Sequence, residues 1–180
     1  MSAQLLVFLK FLTRSIDTFN EWVGRVAAWL VLIMVLIVFY SVITRYLFSI
    51  NSVAVQELQW HLFALIFLLG AAYTLKHDEH VRVDIIYQSR WMNDRRRAWI
   101  NLIGGCFLLI PFCLLVIITS YPFVYTSIIS GEGSPDPGGL PYRFLLKAAI
   151  PIGFGLLMLQ GIADSLTHLL YLLGESKDSN

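Results

Sequence analysis

Apolar residues are grouped along the chain into four long segments, separated by stretches that are richer in polar and charged side chains. The segments cover residues 26–47, 53–75, 98–129 and 144–173. A helix crosses the roughly 30 Å hydrocarbon core of a bilayer with about 20 apolar residues. All four segments reach that length, and the last two exceed it. The pattern predicts an all-α integral membrane protein, with residues 1–180 forming one four-span membrane domain.

The segment before the first span has a different periodicity. Over residues 5–22, apolar side chains recur at helical spacing and the charged side chains fall between them. The apolar positions are Leu5, Phe8, Leu9, Leu12, Ile16 and Phe19. This pattern predicts an N-terminal amphipathic helix that lies on the inner leaflet of the membrane.

Composition and charge agree with a membrane protein and indicate its orientation. The chain is 57% hydrophobic and 14% charged, which is more apolar than a soluble domain of 180 residues. If the N-terminus is cytoplasmic and four helices alternate, ten basic residues fall inside and three outside. The inner set is Lys10, Arg14, Arg25, Lys76, Arg82, Arg90, Arg95, Arg96, Arg97 and Lys177, and the outer set is Arg45, Arg143 and Lys147. This bias predicts that both termini are cytoplasmic.

One carboxylate and one histidine lie within the outer part of the second span. Glu57 and His61 are four residues apart and share a helix face. A carboxylate at this depth is costly unless it is paired or hydrated. Arg45, across the short connection between the first two spans, is the expected partner in a structural ion pair. The alternative is an autonomous proton-coupled exporter with Glu57 as its proton site.

The remaining candidate sites are weaker. Asp164 is expected to contact either Arg25 or His168 near the inner ends of the spans. No pair of histidines lies at one membrane depth, which argues against haem, and no metal-binding or nucleophilic motif is evident. We therefore expect no catalytic residue, no cofactor, no metal and no nucleic-acid partner. Cys106 and Cys113 are predicted to share one face of the third span, about 10 Å apart along it.

Several short motifs resemble the small membrane subunit (DctQ-like) of tripartite ATP-independent periplasmic (TRAP) transporters. They are Arg45-Tyr46, Gln56-Glu57-Leu58, the run from Phe67 to Ala72, the run from His80 to Asp84, and LPYRFLLKAAIPIGFGLLMLQGIAD in the fourth span. The resemblance covers about residues 45–164. Two departures concern the subfamily: a single acidic residue, Glu57, stands where a Glu-Glu pair is common, and Tyr142 stands where tryptophan is common.

The resemblance implies a function in the bacterial inner membrane. Such a subunit acts as a scaffold for a large membrane subunit, which carries the substrate and ion sites. A periplasmic solute-binding protein delivers an organic acid or related solute, and a sodium gradient drives uptake. Membrane lipids are the other expected partners. The Gly- and Pro-rich connection at residues 130–143 is the expected docking loop for the binding protein, through Ser134, Asp136, Gly139, Pro141 and Tyr142.

Overall fold

The computed structural model describes residues 3–78 and 93–174 of the chain, and this part is built from helices. The helices are α1 (Ala3–Phe48), α2 (Val53–Lys76), α3 (Asp94–Gly104), α4 (Ile110–Ile129) and α5 (Phe144–Leu172). A π-helical turn, Gly105–Leu109, joins α3 to α4, so that the two form one continuous span. Four helical segments are therefore long and apolar enough to cross a bilayer, which confirms the predicted fold class.

Some predictions concern residues outside this part of the chain. The His80–Asp84 motif and three of the basic residues counted above, Arg82, Arg90 and Lys177, lie outside the described residues.

Helix α1 is longer than the predicted first span because it includes the predicted amphipathic segment without a break. Thr13 and Asn20 are buried in this segment, and Val23 and Ala27 continue the same helix face just beyond it. Large apolar side chains on the other faces, such as Phe11 and Trp22, are exposed. The N-terminal segment therefore packs on the other helices through a face that includes polar residues. Its position on a membrane leaflet stays a prediction.

The π-turn corrects the expectation for the two cysteines. Cys106 is exposed, whereas the Cys113 side chain is fully buried. In an α-helix, seven residues rotate a side chain to within about 20° of its starting direction. The π-turn at Gly105–Leu109 accommodates one additional residue, so each later side chain trails its α-helical direction by roughly 100°. The prediction that Cys106 and Cys113 share one face was therefore wrong, because it assumed an unbroken α-helical period across residues 98–129.

Helix α5 is the centre of the bundle, since it contacts α1, α2, α3 and α4. Val23, Ala72 and Leu156 form a small buried cluster between α1, α2 and α5, and Leu69 packs against it. Gly153 allows the α5 backbone to approach the α2 backbone closely, because a Cβ there would lie 2.9 Å from the backbone oxygen of Leu68. Small residues let membrane helices pack closely where the hydrophobic effect between helices is weak.

Candidate functional site: a loop tethered to the second helix

The carboxylate of Glu57 holds the connection between α4 and α5. Glu57 is buried near the start of α2. The backbone N–H of Leu140 donates to Glu57 Oε2 at 2.6 Å, and the Ser134 hydroxyl donates to Oε1. The loop is also closed on itself, because Ser134 N–H donates to the Leu140 carbonyl at 3.0 Å. Both carboxylate oxygens therefore bind donors from residues 130–143.

This arrangement corrects the predicted partner of Glu57. Arg45 is exposed near the end of α1, and no ion pair between the described residues joins it to Glu57. The connection from Phe48 to Val53 brings the two helices together, but Arg45 lies on the outward face of α1. The closeness of Arg45 and Glu57 across the hairpin does not determine the direction in which Arg45 points around the axis of α1. His61 Nδ1 donates to the Glu57 carbonyl at 2.6 Å, a contact within one helix.

A second anchor ties the beginning of the same loop to α5. The Lys147 ammonium donates a hydrogen bond to Glu132 Oε2 and lies 3.9 Å from the centroid of the Phe123 ring. The backbone N–H of Arg143 donates to the Glu132 carbonyl at 3.0 Å. The hydrogen bond from Lys147 lowers the pKa of the Glu132 carboxyl from its ordinary value of 4.5. The loop is thus fixed to α2 through Glu57 and to α5 through Glu132.

The Glu132–Lys147 contact should make stability depend on pH. Because the pKa of Glu132 is lower in the folded protein than in the unfolded chain, its contribution is complete above about 4.5. The contribution is lost as the pH falls through the folded-state pKa. We expect the difference in melting temperature between wild type and Glu132→Gln to be largest at pH 7 and to shrink below pH 4.5. Thermal unfolding of the detergent-purified chain from pH 7 to pH 3 measures this difference.

Asp136→Asn is the matched control for that experiment, since Asp136 is an exposed carboxylate in the same loop. Its melting temperature should follow the wild type at every pH. A difference between wild type and Glu132→Gln that stays constant down to pH 3 would contradict the expected linkage.

The residues predicted to dock a binding protein fall into two groups. Ser134 and Gly139 are on the inner side of the loop, where a Cβ on Gly139 would lie 2.8 Å from Glu57 Oε2 and closer still to Ser134. Asp136, Pro141 and Tyr142 are exposed. Tyr142 has a φ of 63°, in the left-handed backbone region that residues other than glycine rarely adopt. The tethered loop therefore presents an exposed surface, and its docking role stays a prediction.

The other end of the bundle contains a polar network that sequence reasoning missed. Asn20 Nδ2 donates to Gln160 Oε1 at 2.7 Å, and Gln160 Nε2 donates to Asp17 Oδ1 at 2.9 Å. Both Asn20 and Gln160 are buried between α1 and α5. Residues 5–22 were interpreted as a surface helix, so their polar side chains had no expected partners. The available signal was Gln160 within residues 148–163, a run of the fourth span that is otherwise apolar.

Glu21 is the centre of a charged cluster beside this network. Lys76 Nζ donates to Glu21 Oε2 at 2.6 Å, and His77 Nε2 donates to the same oxygen at 2.9 Å. Arg25 Nε lies 3.7 Å from Glu21 Oε1. These contacts join α1 to the end of α2.

Two alternatives had been open for Asp164. His168 Nε2 lies 3.4 Å from Asp164 Oδ1, whereas Arg25 is placed with Glu21 and does not reach Asp164. Asn101 Nδ2 also approaches His168 Nε2, at 3.1 Å. Within residues 3–78 and 93–174, no group of three or more His, Cys, Asp or Glu side chains is placed to hold a metal ion.

Four apolar helices joined by polar ties, with a fixed loop at one end, define a multi-span membrane protein of the bundle type. The chain belongs to the family of the DctQ component of tripartite ATP-independent periplasmic transporters, which matches residues 34–170. This finding confirms the resemblance inferred from the motifs. The family is a transporter component rather than an enzyme family, and its members are multi-pass proteins of the bacterial inner membrane.

A curated relative gives the same family. The chain is 27% identical over 144 residues to the C4-dicarboxylate TRAP transporter small permease protein DctQ of Vibrio cholerae serotype O1. The match covers 69% of this chain and 61% of the relative, which is less than two thirds of that protein's length. No solved structure matches the chain.

Proposed function

We propose that this chain is the scaffold subunit of a TRAP-type secondary transporter that takes up an organic acid or related solute with a sodium gradient. It assembles with a large membrane subunit, and a periplasmic solute-binding protein docks on the complex. Both termini lie in the cytoplasm, and the loop at residues 130–143 faces the periplasm. The relative named for C4-dicarboxylates supports an organic acid as the solute class.

The observation that carries this proposal is the double anchoring of the loop. Glu57 and Glu132 tie residues 130–143 to two different helices, and Gln160 joins α5 to Asn20 and Asp17 of α1. A charged solute needs polar groups along its route through the bilayer. In this chain such groups fix helices and a loop, which suits a stationary support for a moving partner.

We expect sodium-driven uptake in proteoliposomes to require the large membrane subunit, this chain and the binding protein together. Omitting each component in turn measures this, with the sodium gradient collapsed as a further control. Uptake by this chain alone would favour the exporter alternative. Uptake that is unchanged without this chain would contradict the scaffold proposal.

The exposed surface of the loop can be tested separately from its anchors. Tyr142→Asn and Asp136→Lys change exposed positions, and asparagine tolerates the left-handed backbone of Tyr142. We expect the combined variant to raise about tenfold the concentration of binding protein that gives half-maximal uptake, because interface residues of this kind carry much of the binding energy. The maximal rate at saturating binding protein should stay near that of wild type.

Arg45→Gln is the control for that measurement, since Arg45 is exposed near the end of α1 and lies outside the loop. It should leave the half-maximal concentration unchanged. An equal effect of Arg45→Gln and of the loop variant would show that general charge, rather than the loop, governs docking.

A further inference from the structure

A groove between α2, α4 and α5 has an apolar wall and a charged end. Its volume is about 470 Å³. The apolar lining residues are Ala64, Leu68, Phe123, Leu146 and Ile150, and the charged ones are Glu132, Arg143 and Lys147. All three helices are membrane spans, so the open side of the groove faces the bilayer or a protein that replaces it.

The two cations of the groove differ in their protein partners. Lys147 donates to Glu132, which leaves other ammonium donors of this side chain available. The Arg143 side chain is half-buried, and it makes no hydrogen bond or ion pair with another described residue. Glu57 and Glu132 are near enough to interact electrostatically with Arg143, but their oxygens already accept other hydrogen bonds.

A half-buried guanidinium with five donors is a strong site for a phosphate oxygen pair. Counting the charged residues that line the groove gives two cations against one carboxylate. Glu57 also lies near Arg143 and offsets part of this charge, so recognition of an anionic group rests on the guanidinium donors of Arg143 and the remaining donors of Lys147. The apolar wall of the groove extends away from these two cations along α2 and α5, where Leu68 and Ile150 line it.

Aromatic side chains place the charged end of the groove at the depth of lipid headgroups. Tyr121, Tyr125 and Tyr142 are exposed at the same end of the bundle as Arg143. Exposed tyrosines are enriched at the interface between the hydrocarbon core and water. Lys147 is one helical turn into α5 from Arg143, within reach of the same level.

We propose that this groove binds one phospholipid, whose phosphate is held by Arg143 and Lys147 and whose acyl chain lies against Ala64, Leu68 and Ile150. Glu132 positions Lys147 for this contact through their hydrogen bond. The bound lipid fills a cleft between three helices and adds to their packing where side chains leave a gap. This site is a specific one, distinct from the general solvation of the helices by lipid.

The test is native mass spectrometry of the full-length chain purified in detergent, with phosphatidylglycerol or diacylglycerol of the same acyl chains added. We expect the wild type to retain one phosphatidylglycerol and Arg143→Gln to retain about tenfold less, because charge-assisted hydrogen bonds to the phosphate are lost. Diacylglycerol, which lacks the phosphate, should be retained poorly by both proteins.

Two further variants separate the lipid site from an effect on folding. Arg45→Gln removes an exposed arginine near the end of α1 and should retain lipid as the wild type does. Ala64→Phe fills the apolar part of the groove, keeps both cations, and should also reduce retention. Circular dichroism and thermal unfolding check that each variant is folded.

Equal retention of phosphatidylglycerol by wild type, Arg143→Gln and Ala64→Phe would overturn the proposal. Equal retention of diacylglycerol and phosphatidylglycerol by the wild type would also overturn it, since the phosphate would then contribute nothing. Loss of the lipid when the large membrane subunit is co-purified would show that a protein segment occupies the groove, and the proposal would be wrong.

Discussion

Replacing Glu57 by glutamine is expected to lower uptake dependent on the binding protein about tenfold, while the chain still enters the membrane. Glu57 accepts one hydrogen bond from Leu140 N–H and one from the Ser134 hydroxyl. A glutamine has a single acceptor oxygen, and its NH2 group would face a donor. The loop should therefore lose one tether and hold its exposed surface less firmly. Initial rates in proteoliposomes at limiting binding protein measure the effect.

A double-mutant cycle distinguishes this tether from the ion pair predicted from the sequence. Glu57→Gln and Ser134→Ala should be strongly non-additive in the melting temperature, because each removes the same contact. Glu57→Gln and Arg45→Gln should be additive, since the two side chains are not paired. Strong coupling between Arg45 and Glu57, with none between Glu57 and Ser134, would contradict the tether and support the ion pair predicted from the sequence.

Glu57→Gln also separates the transporter proposal from the exporter alternative. In the scaffold proposal, high concentrations of binding protein should restore much of the uptake, because the defect is in a docking surface. In an exporter, the variant would lose proton-coupled transport by the isolated chain, and no added protein would restore it.

The second large effect is expected at the polar network between α1 and α5. Gln160→Leu should lower the free energy of unfolding by about 2 kcal/mol, because hydrogen bonds between membrane helices contribute up to about 1.7 kcal/mol and unpaired buried groups cost more. The substitution removes the bonds to both Asn20 and Asp17. Unfolding of the purified chain in mixed detergent, followed by circular dichroism, measures the change.

Gln56→Leu is the matched control, since it makes the same change at a glutamine whose hydrogen bond to Asn51 is exposed. Its effect should stay within about 0.5 kcal/mol of the wild type. If Gln160→Leu is as stable as Gln56→Leu, the network does not join the two helices energetically.

The long apolar segments were predictable because membrane crossing depends on composition over about 20 residues, not on any single contact. The second and fourth helices, Val53–Lys76 and Phe144–Leu172, end within a few residues of the predicted bounds. The first helix differs because the junction between Trp22 and Val26 contains no proline, and its one glycine, Gly24, is tolerated where α1 packs against Tyr73, so the amphipathic segment and the span form one element. Hydropathy reports where the chain is apolar, whereas helix length depends on the absence of a breaker.

The candidate site was only partly predictable. Glu57 was identified because a carboxylate within an apolar span needs a partner. The partner could not be read from the sequence, since the donors are a serine and a backbone N–H more than 70 residues away. A backbone N–H is present at almost every residue, so the sequence does not indicate which one binds Glu57. Arg45 carried the expected charge, but a helix face is set by packing, and Arg45 is on the exposed face.

The π-turn at Gly105–Leu109 has a practical consequence for cross-linking experiments on the third span. Cysteine pairs designed between this span and a partner helix are usually chosen by extending one contact along the helix in steps of three and four residues. A contact mapped within Asp94–Gly104 cannot be extended in this way into Ile110–Ile129, because every later side chain is turned onto a neighbouring face. Pairs must be chosen separately on each side of the turn. A disulfide scan that continues across it should show the reactive positions shifting by one residue.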